Sequence, residues 1–188
     1  MKDKLQDYIL TVPNVLTDSL CKKILKELKS SIWKTQSFYS NRERTYEPNS
    51  SRDSDETSDQ IPSYQYIKDG IWKTIHKYIV EEFNFPWFPG WEGFSLPYFN
   101  RYHKNQLMKE HCDHIHSVFD GKRRGIPTLS IIGSLNNNYE GGELIMFQDK
   151  EYKIKAGEIL IFPSNFLYPH KVMPVTKGTR YTYVSWVF

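Results

Sequence analysis

From residue 96 to the C-terminus the chain breaks into short apolar stretches, each closed by Gly, Pro, Asn or a charged turn. Read as strands, they are Leu96–His103, Lys109–Ile115, Thr128–Leu135, Glu143–Phe147, Tyr152–Lys155, Glu158–Phe162, His170–Val175 and Arg180–Val187. Strands in this number and spacing predict a double-stranded β-helix (jelly roll), a double-sheet fold that limits its exposed edges. The fold class is α+β, mainly β, because the first half of the chain reads as helices that would cover one sheet.

That first half opens with an extended arm, Tyr8–Val15, broken by Pro13. Thr17 and Asp18 offer an N-cap and an acidic first turn, and Leu20, Ile24, Leu25 and Leu28 follow at helical spacing. A helix over 18–31 is expected, with Cys21 as a small buried hydrophobe. A second helix is expected over 63–82, its stripe made of Ile67, Ile71, Trp72, Ile75, Tyr78 and Ile79. Between them, Thr35–Ile61 is polar and poor in core formers, which reads as a solvated excursion. The alternative is a loop that closes over a substrate. Phe83–Phe94, dense in aromatics, reads as a wedge between helices and sheet, with a groove wall as the alternative.

At 188 residues this is one domain's worth of chain, with 1–95 as support and polar loop and 96–188 as the core. The formal charge of +3 comes from scattered basic residues, which gives no case for nucleic acid as a partner. Cys21 and Cys112 sit in unrelated contexts, so no disulfide framework is implied and a reducing compartment is expected. No apolar run suits a signal peptide or a membrane span, so the expectation is a cytoplasmic protein.

Within the second strand lies His111-Cys112-Asp113. Side chains alternate along a strand, so His111 and Asp113 share a face and Cys112 points away. Closed by a histidine from a distant strand, such a pair makes the 2-His-1-carboxylate triad that holds non-haem Fe(II) with open positions. His114 and His116 fall on the opposite face, which disfavours a cluster of three histidines around His111. A closed zinc site is also disfavoured, since such sites want four ligands, usually with thiolates.

These residues have specific company. Tyr102, Gly141-Gly142-Glu143-Leu144, Ala156–Pro163, Pro169-His170 and Gly178-Thr179-Arg180 together resemble the Fe(II)/2-oxoglutarate dioxygenase superfamily, in its prolyl 4-hydroxylase-like branch. The resemblance covers residues 96–188. It implies Fe(II) held by His111, Asp113 and His170, with 2-oxoglutarate and O2 as co-substrates and ascorbate as reductant. Arg180, ten residues after His170, matches the basic residue that meets the 2-oxoglutarate C5 carboxylate. Tyr102 and Thr182 would add donors to the same carboxylate, and Met108 and Trp186 would face the substrate. The branch commonly has Gly and Tyr where this chain has Asn105 and Met108, which bears on substrate choice rather than on iron.

The implied activity is hydroxylation of an unactivated C–H, of a prolyl residue in a peptide or protein. The alternatives are hydroxylation of a free amino acid or other small metabolite, and a jelly-roll module that keeps a metal without turnover.

Overall fold

The hydroxyl of Thr17, itself in extended backbone, accepts the Leu20 amide at 3.2 Å, which starts α1 (Asp18–Glu27) at the expected cap. Its final turn, Leu28–Ser30, tightens to a 3-10 helix. The second helix, α2 (Tyr64–His76), runs on as a π-helix over Lys77–Phe83 and ends at Asn84, whose φ is +40°. Ile67, Ile71 and Ile75 are wholly buried along it. Trp72 departs from the expected stripe. It lies about 100° round from Ile71, is 54% exposed, and packs on Trp91 with ring centroids 4.5 Å apart.

The computed structural model describes residues 3–37, 39–40, 45–47, 50–86, 88, 91, 93–113 and 127–188. Among these the strands of the first half are β1 (Leu10–Val12), β2 (Lys34–Thr35), β3 (Tyr39–Ser40), β4 (Thr45–Tyr46) and β5 (Asp55–Thr57). Then come β6 (Tyr98–Tyr102), β7 (Met108–His111), β8 (Leu129–Ser134), β9 (Tyr139–Gly141) and β10 (Leu144–Met146). The last are β11 (Lys150–Tyr152), β12 (Ile159–Pro163), β13 (His170–Val172), β14 (Val175–Gly178) and β15 (Arg180–Val187).

A seven-stranded sheet, β1-β12-β8-β15-β6-β5-β2, faces a four-stranded one, β11-β10-β13-β7, and β9 with β14 and β3 with β4 form separate pairs. All strand pairs in both large sheets are antiparallel. This is the expected jelly roll with helices on one side.

Period-two alternation divides the major sheet between two cores. Phe99, Ile131, Ile159, Ile161 and Tyr183 face the helices, where they meet Ile24, Leu28, Ile67 and Ile71. Ile132, Leu160, Phe162 and Val184 face the minor sheet, where they meet Met108, Leu144, Met146 and Val172.

Several strand limits differ from the sequence reading, each for a local reason. β10 stops at Met146 because Phe147 and Gln148 take φ of +53° and +77°. The following strand falls at Lys150–Tyr152 rather than Tyr152–Lys155, in register with β10 as its hairpin partner. Pro174, which has no N–H to donate, separates β13 from β14, and β14 leaves the minor sheet to pair with β9. β7 ends at His111 instead of continuing to Ile115, of which residues 114 and 115 lie outside the described residues.

The polar stretch Thr35–Ile61 is not simply a solvated excursion. β5 pairs with β6 and carries β2 as the edge of the major sheet, and Asp53 and Ser54 are buried. Polar side chains bind this segment down: Arg101 Nε donates to Asp55 Oδ2 at 2.9 Å, and the Ser50 amide to Asp53 Oδ2 at 2.7 Å. The aromatic run behaves as the wedge. Phe83 and Phe85 pack on Tyr8, and Phe88, Trp91 and Phe94 pack against the helix-side core.

Candidate active site

A cavity of about 430 Å³ opens between the two sheets, and every site residue read from the sequence lines it: Tyr102, Met108, His111, Asp113, His170, Arg180, Thr182 and Trp186. Strand register explains the gathering. His170 on β13 is paired with His111 on β7, and their rings lie 4.4 Å apart, centroid to centroid.

Asp113 reaches the same point by a different route from the one expected. The strand stops at His111, so alternation no longer aims the carboxylate. Instead the loop after β12 holds the chain in place: Ser164 Oγ donates to the Asp113 carbonyl at 2.8 Å. The Cys112 thiol meets the Phe166 carbonyl at 3.5 Å, facing away as read. Asp113 Oδ1 ends 3.4 Å from His111 Nε2 and 3.8 Å from His170 Nε2. The ligand atoms of the three residues all lie within 4.8 Å of one another, close enough to hold a metal ion. His114 and His116 lie outside the described residues.

Both imidazoles are oriented by the backbone. His111 Nδ1 lies 2.8 Å from the Lys109 carbonyl and His170 Nδ1 lies 3.1 Å from the Tyr168 carbonyl. A carbonyl only accepts, so each Nδ1 carries the proton and each Nε2 is directed at Asp113. Hydrogen bonds of this kind fix the tautomer of metal-binding histidines.

The charge states are tightly linked. Burial opposes ionisation of Asp113, but the neighbouring His170 and the hydrogen bond and charge of His111 hold its carboxyl well below the usual carboxylate range. Burial would lower the His111 pKa, yet Asp113 outweighs it and leaves the imidazole above its ordinary value. For His170 burial prevails: Asp113 offsets it only in part, and His111 adds to the depression. The site is therefore an anion flanked by two nitrogen donors, suited to a divalent cation.

Arg180 begins β15 opposite Tyr102 on β6 and is only 4% exposed. Its guanidinium carbon lies 5.0 Å from the Tyr102 ring centroid, and its Nε has no hydrogen-bond partner among the described residues. Burial lifts the Tyr102 phenol above its ordinary pKa, against Arg180 and against hydrogen bonds to the side chains of Ser54 and Arg180. Ser54 in turn donates to Gln36 Oε1 at 2.6 Å. A buried arginine with an unused donor, beside a phenol, is chemically suited to receive a carboxylate. The orphaned Nε and the cavity it lines fit the 2-oxoglutarate that the family resemblance implies.

The glycine pair earlier in the chain makes room for this arginine. Gly142 has φ +68°, and a Cβ there would lie 3.0 Å from Arg180 Cδ and 3.0 Å from Val175 Cγ2. Asn105, the departure from the branch's glycine, has φ +71°, in the left-handed region that asparagine tolerates best after glycine.

Sequence reasoning missed Gln36, Glu56, Tyr98 and Asn100, which also line the cavity. Tyr98 and Asn100 were within reach of it, since they alternate with Tyr102 on one strand. Gln36 and Glu56 carried no such signal, because nothing local showed that their segment joins the sheet.

A jelly roll with a His-x-Asp…His cluster and a buried arginine in one cavity is the arrangement that the comparisons can be set against. Residues 97–188, just under half of the chain, match the family model for the 2OG-Fe(II) oxygenase superfamily. Among curated relatives, the PKHD-type hydroxylase MADE_1018490 of Alteromonas mediterranea is 35% identical over 98 residues, covering 48% of this chain and 42% of the relative. A PKHD-type hydroxylase of Shewanella oneidensis is 36% identical over 98 residues, covering 50% and 43%. The chain thus spans about two fifths of the length of these relatives.

The fold is that of the prolyl hydroxylases. A Trichoplax adhaerens prolyl hydroxylase, solved with a hypoxia inducible factor oxygen degradation domain peptide fragment, superimposes with a TM-score of 0.73 at 18% identity, over 97% of this chain and 84% of that one. A Pseudomonas putida prolyl-4-hydroxylase gives 0.65 at 18% identity, over 96% and 91%. No helix among the described residues is long and apolar enough to cross a membrane.

Proposed function

We propose that this chain is an Fe(II)- and 2-oxoglutarate-dependent oxygenase that hydroxylates a prolyl residue in a peptide or protein, with residues 1–188 acting as one domain. The observation that carries the reading is Arg180: buried, with a free Nε, in the same cavity as His111, Asp113 and His170. His111, Asp113 and His170 would hold the ferrous ion through two Nε2 atoms and a carboxylate oxygen. With 2-oxoglutarate bound, that ion supplies the hard chemistry, an oxidative decarboxylation by O2 coupled to C–H hydroxylation.

The chain's own residues do the rest. Arg180 meets the far carboxylate of 2-oxoglutarate, and Tyr102 and Thr182 supply further donors from neighbouring strands. Val172, Ile132, Leu144 and Val184 keep the surrounding walls apolar, which strengthens the charge interactions inside. Met108, Tyr98 and Trp186 line the cavity as apolar and aromatic surface for the substrate. Such surface suits a proline ring held in an extended segment, which is pre-ordered and binds with little loss of entropy. The structural neighbours are prolyl hydroxylases, which supports the same class of substrate.

The test is incubation with Fe(II), 2-oxoglutarate, ascorbate and a panel of proline-containing peptides. Succinate release with a gain of one oxygen on proline, placed by tandem mass spectrometry, is the expected result. Hydroxylation of a free amino acid with every peptide unmodified would replace the peptidyl reading by the small-molecule one. Omission of ascorbate should slow turnover over time.

A further inference from the structure

The cavity is charged at two places besides the metal cluster. Arg180 and Tyr102 make one row across β15 and β6; the next row on the same face is Thr182, Asn100 and Glu56, across β15, β6 and β5. All of these line the cavity. Strands lie about 4.8 Å apart and alternate residues about 7 Å along, so Glu56 sits about 10 Å across from Thr182, clear of the arginine row.

The Glu56 carboxylate makes no hydrogen bond and no ion pair with a described residue. Lys34, opposite it in the β2–β5 ladder, acts on it only through space. Burial pushes the Glu56 pKa up, with Lys34 pulling it partly back. The carboxylate is thus half-buried at the cavity wall and available to a ligand.

In the row beyond it stands Tyr98, opposite Val184, and Trp186, a further row along β15, packs on Tyr98 with ring centroids 6.3 Å apart. Tyr98 is two residues from Asn100 and so shares its face. An unpartnered carboxylate next to aromatic faces is the chemistry that receives a cation.

Charge balance points the same way. With a ferrous ion and 2-oxoglutarate in place, their charges cancel against Asp113 and Arg180. Lys34 stands opposite Glu56 but does not line the cavity, so among the lining residues the Glu56 carboxylate is the charge left for a substrate to meet.

We propose that Glu56, with Tyr98 beside it, receives an ammonium or guanidinium group of the substrate, so that the enzyme selects a C–H bond neighbouring a basic group. This rests on the oxygenase reading above and narrows it: the preferred peptide carries lysine or arginine beside the residue that is hydroxylated.

The experiment uses a peptide series of fixed sequence with lysine, arginine, norleucine, glutamine or glutamate flanking the target proline, together with free lysine and free norleucine. Turnover is followed by mass spectrometry, and binding of the same peptides, fluorescein-labelled, by anisotropy with Mn(II) and 2-oxoglutarate. Wild type should prefer lysine or arginine over norleucine by about tenfold, as for one charge pair made or lost. Glu56→Gln should abolish that preference, and Glu56→Lys should prefer the glutamate peptide, an inversion that a misfolded protein could not give. A wild type blind to charge, no binding by any basic member, or a preference that survives Glu56→Gln would overturn the proposal. Selection of free lysine with all peptides ignored would uphold Glu56 and remove the peptidyl reading. Glu56-dependent binding without any 2-oxoglutarate turnover would uphold Glu56 and remove the oxygenase reading.

Discussion

Arg180 and Tyr102 face each other across the β15–β6 ladder, with the guanidinium carbon 5.0 Å from the phenol ring, and neither is more than 4% exposed. The arginine is packed, with its Nε unpartnered among the described residues, which suits it to receive a carboxylate. Loss of one member of a buried, hydrogen-bonded charge pair costs about 2–5 kcal/mol. Arg180→Ala should therefore raise the 2-oxoglutarate Kd by a factor of tens or more, measured by calorimetry with Mn(II) present. Arg180→Lys should lose less, since charge is kept and only the fork is lost. Normal binding by the alanine variant would put the pocket elsewhere.

For the His111–Asp113–His170 cluster, anaerobic titration with Fe(II) and 2-oxoglutarate should give the visible chelate band in wild type. His170→Ala and Asp113→Ala should each lose it, because two ligands cannot complete the set of three. An equal band in His170→Ala would remove that residue from the site.

Gly142 joins backbone strain to the pocket. Alanine there must adopt φ +68° and place its Cβ 3.0 Å from Arg180 Cδ. Gly142→Ala should destabilise the fold by about 1–3 kcal/mol in urea unfolding and also weaken 2-oxoglutarate binding. A loss of stability with unchanged binding would show that the arginine can shift freely.

Asn105, at φ +71°, holds the turn between β6 and β7, with its N–H bonded to the Val175 carbonyl at 2.8 Å. Asn105→Gly should be neutral or slightly stabilising by thermal unfolding. Asn105→Val, branched at Cβ, should cost about 1–2 kcal/mol. Equal melting of the two variants would mean that the turn does not depend on the left-handed conformation.

What the sequence made legible was alternation. Reading β15 with period two put Arg180, Thr182, Val184 and Trp186 on one face, and all four line the cavity. Fold class came from strand count and turn chemistry, which are local. The rest was hidden because it depends on contacts far apart in the chain. Asp113 is aimed by Ser164, 51 residues on, rather than by strand geometry. Asp55–Thr57 has too few apolar residues to announce a strand, and it becomes one because β6 offers an edge to pair with. The aromatic run Phe83–Phe94 read as a wedge between helices and sheet because rings interrupted by Pro and Gly suit packing, and its described members pack on the helix-side core.

The place of Ser54 gives a last expectation that joins the polar segment to the site. It is fully buried, donates to Gln36 at 2.6 Å and shares a hydrogen bond with the Tyr102 phenol. Removing residues 40–58 should therefore disturb the proposed 2-oxoglutarate pocket as well as any substrate surface, since it takes away β5 and this hydrogen bond together. A subtler change separates the two. Ser54→Ala should raise the 2-oxoglutarate Kd several-fold, as a neutral hydrogen bond is worth about 1 kcal/mol. If Ser54 acts only by holding Tyr102, the double variant Ser54→Ala/Tyr102→Phe should bind no worse than Tyr102→Phe alone. Calorimetric Kd values for the four proteins close the cycle. Strictly additive losses would show that Ser54 acts on the pocket independently, and the row Gln36–Ser54–Tyr102–Arg180 would not be a connected unit.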